Sequence, residues 1–189
     1  MKNSKTKIMA ECAILVALST VLSFVKIWNM PWGGSITLFS MLPVCYVSVR
    51  HGLKWGLGSA FLYSAIQLFL GITLDGLLGW GLTGTILVMC ILLDYVLAFS
   101  VLGISGIFAK YGFSGIMAGT ALSVVARFIC HLLSGVYVFA SVGKLWDGFE
   151  TSNTWLYSFV YNGCYMLPEL VMTLVGAALV YKALSDRKI

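Results

Sequence analysis

Five ionisable side chains lie within the apolar stretches of this 189-residue chain: Glu11, Asp94, Arg127, His131 and Glu169. Charged groups inside such stretches are costly to keep away from water, and they usually serve a function. Arg127 and His131 are four residues apart, so they share one face of a helix. This spacing indicates a polar patch on an otherwise apolar helix.

Asp94 is the natural partner for this patch. It lies 16 residues before Lys110, and Arg127 lies 17 residues after Lys110, where a short loop should join two antiparallel helices. The two side chains should therefore lie at similar depth, which predicts an Asp94–Arg127 ion pair. A purely structural pair is the alternative. With His131 and Tyr95 beside it, the pair would form the floor of a polar pocket.

A second polar stripe lies along the last apolar stretch. Tyr161, Tyr165 and Glu169 are spaced by four, with Asn162 beside them and Tyr157 one turn away. Such a stripe lines a cavity or forms hydrogen bonds between helices. A pocket with aromatic walls, a carboxylate, an imidazole and an amide suits a small, flat heteroaromatic ligand. Aromatic faces also attract cations.

The elements that must position these groups are membrane helices. The chain is 60% apolar and 10% charged, far from the composition of a soluble domain. We predict an all-α integral membrane protein, a single transmembrane domain over residues 1–189. Its six helices are expected at residues 8–28, 35–49, 53–72, 85–108, 114–139 and 155–183. Pro43 should interrupt the second helix, and Pro168 lies inside the sixth.

The basic residues predict the orientation. One side of the predicted bundle holds nine Lys and Arg residues and the other holds Lys26 and Lys144. By the positive-inside rule both termini should be cytoplasmic. The net charge of +5 is mostly this anchoring pattern, so no nucleic-acid partner is expected.

Catalytic motifs are missing from the sequence. It has no G-x-x-x-x-G-K-[ST], H-E-x-x-H or G-x-S-x-G pattern, and its five cysteines form no zinc spacing. We therefore expect no enzyme activity, no metal site and no cofactor. Any ATP hydrolysis would reside in separate subunits.

Several motifs resemble a known family when taken in order. They are Glu11-Cys-Ala13-x-x-x-Ala17, Asp94-Tyr95, the run Arg127, His131 and Gly135, and Tyr157-Ser-x-x-x-Asn162-Gly163. Over essentially its whole length the chain resembles the thiamine-specific S-component of energy-coupling factor transporters. The resemblance implies a six-helix S-component bundle in the cell membrane, which binds thiamine with high affinity.

The resemblance also implies roles for residues. Thiamine would contact five matching positions: Asp94, Tyr95, His131, Tyr157 and Asn162. Arg127 would pair with the carboxylate, and Gly135 would leave room for the ligand rings. Ala13 and Ala17 would dock against a transmembrane coupling subunit, which two cytoplasmic ATPases would drive. The loop between the first two helices would cap the pocket.

Some positions depart from the family pattern. Asp94 stands where Glu is usual, and it reaches about one methylene less. The family usually has tryptophans at two positions of the pocket wall, and in this sequence Phe139 and Trp32 lie only near those positions. Glu169 has no role in the family pattern.

Other functions stay open at this point. An S-component for another vitamin or precursor is the nearest. A stand-alone secondary transporter would use the carboxylates of Asp94 and Glu169 as proton sites. A membrane enzyme would need a reactive constellation that the sequence lacks, and buried charges disfavour a purely structural subunit.

Overall fold

The structure is a computed structural model, and it describes residues 5–31, 33–82 and 84–185. Most of the chain is helical. The helices and strands, in order, are α1 (Lys5–Ser23), β1 (Lys26–Asn29), β2 (Ser35–Thr37), α2 (Leu42–His51), α3 (Leu53–Thr73), α4 (Gly84–Cys90), α5 (Ala98–Ser100), α6 (Gly112–Ser134), β3 (Gly143–Trp146), β4 (Phe149–Thr151) and α7 (Thr154–Ser185).

Within the described residues, four helical stretches are long and apolar enough to cross a membrane, by length and composition: Lys5–Ser23, Leu53–Thr73, Gly84–Phe139 and Thr154–Ala183. The third is 56 residues long and contains more than one helix. Large apolar side chains also lie on the outer faces of the other long helices. Ile14 on α1, Phe69 on α3 and Leu167 on α7 are each more than 60% exposed. An apolar surface of this extent is suited to a lipid environment rather than to water.

The first two predicted helices are shorter than expected. The helix predicted over residues 8–28 ends at Ser23, and the one predicted over 35–49 begins at Leu42. Between them β1 and β2 form an antiparallel hairpin, in which Lys26 pairs with Thr37 and Asn29 with Ser35. A short apolar run alone does not distinguish a strand from a helix end, and here the strand pairing prevails.

Local residues explain why the chain turns here. Gly33 and Gly34 adopt φ angles of +93° and +87°, which residues with a Cβ rarely adopt, and they lie in the hairpin turn. Pro43 does not interrupt α2 but lies in its first turn, where its missing N–H costs no hydrogen bond. Pro168 lies inside α7, as predicted.

Two stretches are wound more loosely than an α-helix. Residues Ile91–Leu97, between α4 and α5, and Gly135–Phe139, after α6, form π-helix. A second hairpin, formed by β3 and β4, follows the latter and leads into α7. π-helical turns often occur at functional sites because they redirect side chains.

Small residues let α2, α3 and the 3-10 segment Val101–Ile104 approach closely. A Cβ on Gly103 would lie 2.6 Å from the Cα atom of Leu57, which belongs to the backbone of α3. The hydroxyl of Ser48 donates to the carbonyl of Gly103 at 2.6 Å and accepts from the amide of Gly106 at 3.0 Å. This contact joins three elements through backbone atoms that cannot easily shift.

We predict that Gly103→Ala destabilises the protein, because the new methyl group meets backbone rather than a flexible side chain. Overpacking of about 1–3 kcal/mol should lower the apparent Tm in detergent by roughly 3–10 °C. Gly58→Ala on α3 is the matched control, since no atom lies within 4 Å of its Cβ position. Equal melting temperatures for the two variants would contradict this description of the contact.

Candidate ligand-binding site

A cavity of about 820 Å³ lies between the β1–β2 hairpin and the helices α3, α6 and α7. Its size is in the range of pockets that hold small molecules. The cavity is lined by eleven residues singled out from the sequence: Asp94, Tyr95, Arg127, His131, Gly135, Phe139, Tyr157, Tyr161, Asn162, Tyr165 and Glu169. Trp32 lies outside the described residues. The structure thus brings together residues that are up to 75 positions apart (94 to 169).

The two π-helical segments carry four of these residues. Asp94 and Tyr95 lie in Ile91–Leu97, and Gly135 and Phe139 lie in Gly135–Phe139. Tyr95 packs directly against Gly71 of α3, where a side chain on the glycine would collide with the ring. The sequence predicted ordinary α-helix at both places. The looser winding was missed because apolar periodicity does not reveal one additional residue in a turn.

Asp94 is held by three side chains. Its Oδ1 atom lies 2.8 Å from Nδ1 of His131, and its Oδ2 atom accepts a short hydrogen bond from the hydroxyl of Ser134. The thiol of Cys90 also donates to Oδ2, at 3.5 Å. An ionised carboxylate offers about four acceptor positions, so one remains for a ligand.

The predicted direct ion pair between Asp94 and Arg127 is wrong. His131 lies between them: Nε of Arg127 donates to Nε2 of His131 at 3.3 Å, and the other ring nitrogen faces Asp94. The short aspartate side chain leaves space for the imidazole. The prediction from equal depth did not include the histidine one turn away from Arg127.

This chain of contacts fixes the state of the imidazole. Arg127 can only donate, so Nε2 of His131 must accept, and the ring proton is therefore on Nδ1, which donates to Asp94. His131 is neutral in this arrangement. The guanidinium of Arg127 also lies 4.1 Å from the ring centroid of Phe99, a favourable cation–π geometry.

An oriented amide forms another part of the wall. The amide nitrogen of Asn162 donates to the carbonyl and hydroxyl of Ser158 at 2.9 and 3.1 Å, and to the carbonyl of His131 at 3.3 Å. Its oxygen accepts from the hydroxyl of Tyr165 at 2.7 Å. The amide cannot flip without losing these bonds, so its oxygen faces a fixed direction.

Gly135 has a structural task besides lining the cavity. A Cβ on this residue would collide with the hydroxyl of Ser158, so the glycine permits the close approach of the segment after α6 to α7. The sequence interpretation gave it only the role of making room for ligand rings.

Aromatic rings cover much of the cavity surface. Tyr157 and Tyr161 are nearly parallel, with centroids 6.2 Å apart, and Tyr165 lies edge-on to Tyr161 at 6.4 Å. Trp80 lines the cavity and lies 6.1 Å from the ring of Phe139. Parallel and edge-on rings of this kind present both flat faces and hydroxyl groups to a planar ligand.

Sequence reasoning missed some cavity residues. Trp80 was indistinguishable from the tryptophans of a membrane interface, and Thr37, Ser40 and Tyr63 gave no particular signal. Gln67 did leave a signal, since it is a lone amide inside the apolar helix α3. Its amide nitrogen donates to the hydroxyl of Ser23 at 3.0 Å.

Two singled-out residues do not belong to the cavity. Ala13 and Ala17 are exposed on α1, each about 100° around the helix from the buried Cys12 and Val16. Glu11, two residues before Ala13, lies 2.9 Å from His51 and 3.2 Å from Arg50, which joins α1 to the end of α2. The exposed alanine face is therefore presented by a helix that is fixed at this end.

Known proteins resemble this chain along nearly all of its length. A profile of the family described as thiamine transporter protein (Thia_YuaJ) matches residues 9–188. The thiamine transporter ThiT of Bacillus subtilis (strain 168) is 30% identical over 185 residues, which cover 90% of this chain and 88% of the relative. ThiT of Lacticaseibacillus paracasei is 24% identical over 190 residues, covering 89% and 83%.

The fold is shared with a solved structure. ThiT from Listeria monocytogenes superimposes with a TM-score of 0.71 at 22% identity, covering 96% of both chains. The structural match shows that the fold is shared, whereas the family profile and the Bacillus relative show membership of the family. On these grounds the chain belongs to the thiamine transporter protein family.

Proposed function

We propose that this protein binds thiamine and takes it up across the cell membrane as the S-component of an ATP-driven energy-coupling factor transporter. The observation that carries the proposal is the Asp94–His131–Arg127 contact chain at the wall of an aromatic cavity. It occurs in a member of the thiamine transporter protein family.

The chemistry of thiamine fits this cavity. The vitamin joins a cationic thiazolium ring to a neutral aminopyrimidine. The carboxylate of Asp94 is a partly buried group with one acceptor position left, and tyrosine faces attract cations. The fixed oxygen of Asn162 suits an amino group on a planar ring. In this proposal Tyr95, Tyr157 and Phe139 are ring contacts, as is Trp32.

The membrane arrangement is part of the proposal. Six membrane-spanning helices would place both termini in the cytoplasm, as the nine-to-two distribution of basic residues predicts. Lys26 and Lys144, on the sparsely charged side, belong to the two hairpins. The cavity lies next to the first of these hairpins, so it would receive its ligand from outside the cell.

Coupling to ATP hydrolysis would require other subunits. The exposed Ala13 and Ala17 form a small-x-x-x-small surface, which permits close approach of a partner helix in a membrane. We propose that this surface contacts the transmembrane coupling subunit, to which two cytoplasmic ATPases bind.

Binding should be visible in tryptophan fluorescence. We expect thiamine to quench the purified protein saturably at low-micromolar concentration or below, and riboflavin to have no effect. Trp80 lines the cavity, so Trp80→Phe should reduce the quenching amplitude, whereas Trp146→Phe on β3 should leave most of it. No heat of binding in calorimetry would indicate a different vitamin.

Asp94→Ala should weaken thiamine binding by roughly 100-fold, since it removes the one carboxylate of the contact chain. Asn162→Ala should weaken it too, through loss of the oriented amide. Asp94→Glu should retain binding. Asp147→Asn is the control, because that side chain is 98% exposed on the second hairpin. Full affinity in both alanine variants would refute the assigned site.

Coupling should be separable from binding. Replacing Ala13 and Ala17 by Leu should keep thiamine affinity within about twofold, because the alanines are exposed and outside the cavity. Cellular uptake should fall by at least about tenfold as the close helix approach is lost. The control is Ala118→Leu, on the exposed face of α6. Uptake by the purified chain alone in vesicles would instead indicate a secondary transporter.

A further inference from the structure

Glu169 is a buried carboxylate that the proposed thiamine contacts do not use. It lies on α7 with 3% of its surface exposed. Its Oε1 atom accepts two hydrogen bonds from one residue, at 2.5 Å from the amide and 2.6 Å from the hydroxyl of Thr37. Its Oε2 atom is buried and has no partner among the described residues. A buried carboxyl group with one unpartnered oxygen needs an explanation.

Thr37 is the last residue of β2, and it connects Glu169 to the hairpin beside the cavity. Both strands and the turn of the hairpin line the cavity, through residues such as Lys26, Gly33 and Ser35. The hydroxyl of Thr37 also lies 2.6 Å from that of Ser40. Because Glu169 can only accept while ionised, Ser40 donates to Thr37 and Thr37 donates to Glu169.

Two more residues of the same α7 face hold the hairpin. The hydroxyl of Tyr161 donates to the carbonyl of Gly33 at 2.8 Å. The ring of Tyr165 packs so closely on Gly34 that a Cβ there would lie 2.6 Å from it. Tyr161, Tyr165 and Glu169 are spaced by four, so one stripe of α7 meets the hairpin at three successive places.

The energetics make this attachment reversible. A buried acceptor is costly to leave without a donor, so the two hydrogen bonds from Thr37 stabilise the closed hairpin. The opposing term is desolvation, because closure strips water from Glu169 and leaves Oε2 unsatisfied. If the hairpin lifts, the carboxylate loses Thr37 but becomes accessible to water again.

We propose that Glu169 is a positioning residue that holds the β1–β2 hairpin over the cavity through Thr37 and thereby sets how slowly a bound ligand leaves. The attachment of the hairpin stands on the contacts themselves. The effect on ligand retention rests on the proposed thiamine binding.

Hydrogen–deuterium exchange on the ligand-free, full-length protein tests the attachment. In Glu169→Ala, amides of residues 26–38, Thr37 above all, should exchange about tenfold faster, since the acceptor of the Thr37 amide is gone. Amides of the β3–β4 hairpin should be unchanged, because the hydrogen bonds of the Glu169 side chain go to Thr37 of the first hairpin. Glu169→Gln keeps an acceptor oxygen and should give an intermediate rate.

The control is Thr173→Val. Thr173 is also fully buried on α7, and its hydroxyl donates to the backbone carbonyl of Glu169 rather than to the hairpin. It should leave exchange in residues 26–38 as in the wild type. Unchanged exchange in Glu169→Ala, or an equal increase in both hairpins, would overturn the attachment.

Dissociation of radiolabelled thiamine after a chase with unlabelled vitamin tests retention. Glu169→Ala should dissociate about tenfold faster with an association rate within about twofold of wild type, and Glu169→Gln should lie between. An unchanged dissociation rate in a variant whose hairpin exchanges faster would overturn the retention step. A wild-type protein that binds no thiamine would overturn the proposed function, while the exchange result would still decide the attachment.

Discussion

The cavity depends on how one partly buried carboxylate, that of Asp94, finds its partners. Asp94 sits in a largely apolar bundle, where an unpaired charge would cost several kcal/mol. His131, Ser134 and Cys90 supply its hydrogen bonds, and Arg127 supplies the positive charge one step further away. These partners belong to α4 and α6, while Asp94 lies in the π-helical segment after α4, so satisfying the charge fixes how these elements face each other. The arrangement leaves one acceptor position of Asp94 available at the cavity.

Packing elsewhere keeps the cavity from collapsing. Gly103 and Gly106 bring the segment after α5 against α2 and α3 through backbone contacts. Gly135 brings the end of α6 against α7 in the same way. Because small residues provide close contact at these places, the large aromatic residues are free to line the cavity instead of filling it. The outer surface carries many large apolar side chains, and buried polar groups such as Ser48 and Asn162 are hydrogen-bonded inside, which suits a bilayer.

The stripe on α7 connects this interior to the hairpin. Tyr161 and Tyr165 contact both the cavity and the hairpin turn, so a ligand and the hairpin compete for, or share, the same rings. Glu169, further along the stripe, also lines the cavity, and it contacts the hairpin through Thr37. The cavity wall and its cover are therefore built from one helix face, which couples the state of the hairpin to whatever occupies the cavity.

The sequence by itself determined the apolar helices, the chemistry of the site and the family, because apolar composition, intramembrane charges and motif spacing are local properties. It placed Asp94, His131 and Asn162 correctly at the cavity, since residues four apart share a helix face and antiparallel neighbours share a depth. Only the tertiary structure decided that His131 separates Asp94 from Arg127. Counting residues along two neighbouring helices places side chains to within about one turn, which is too coarse to show which of them are in contact. The same holds for the hairpin between α1 and α2, which exists through pairing between strands, and for Glu169, whose partner lies 132 residues away in sequence. Such contacts depend on how separate elements meet in space, and no local pattern records that.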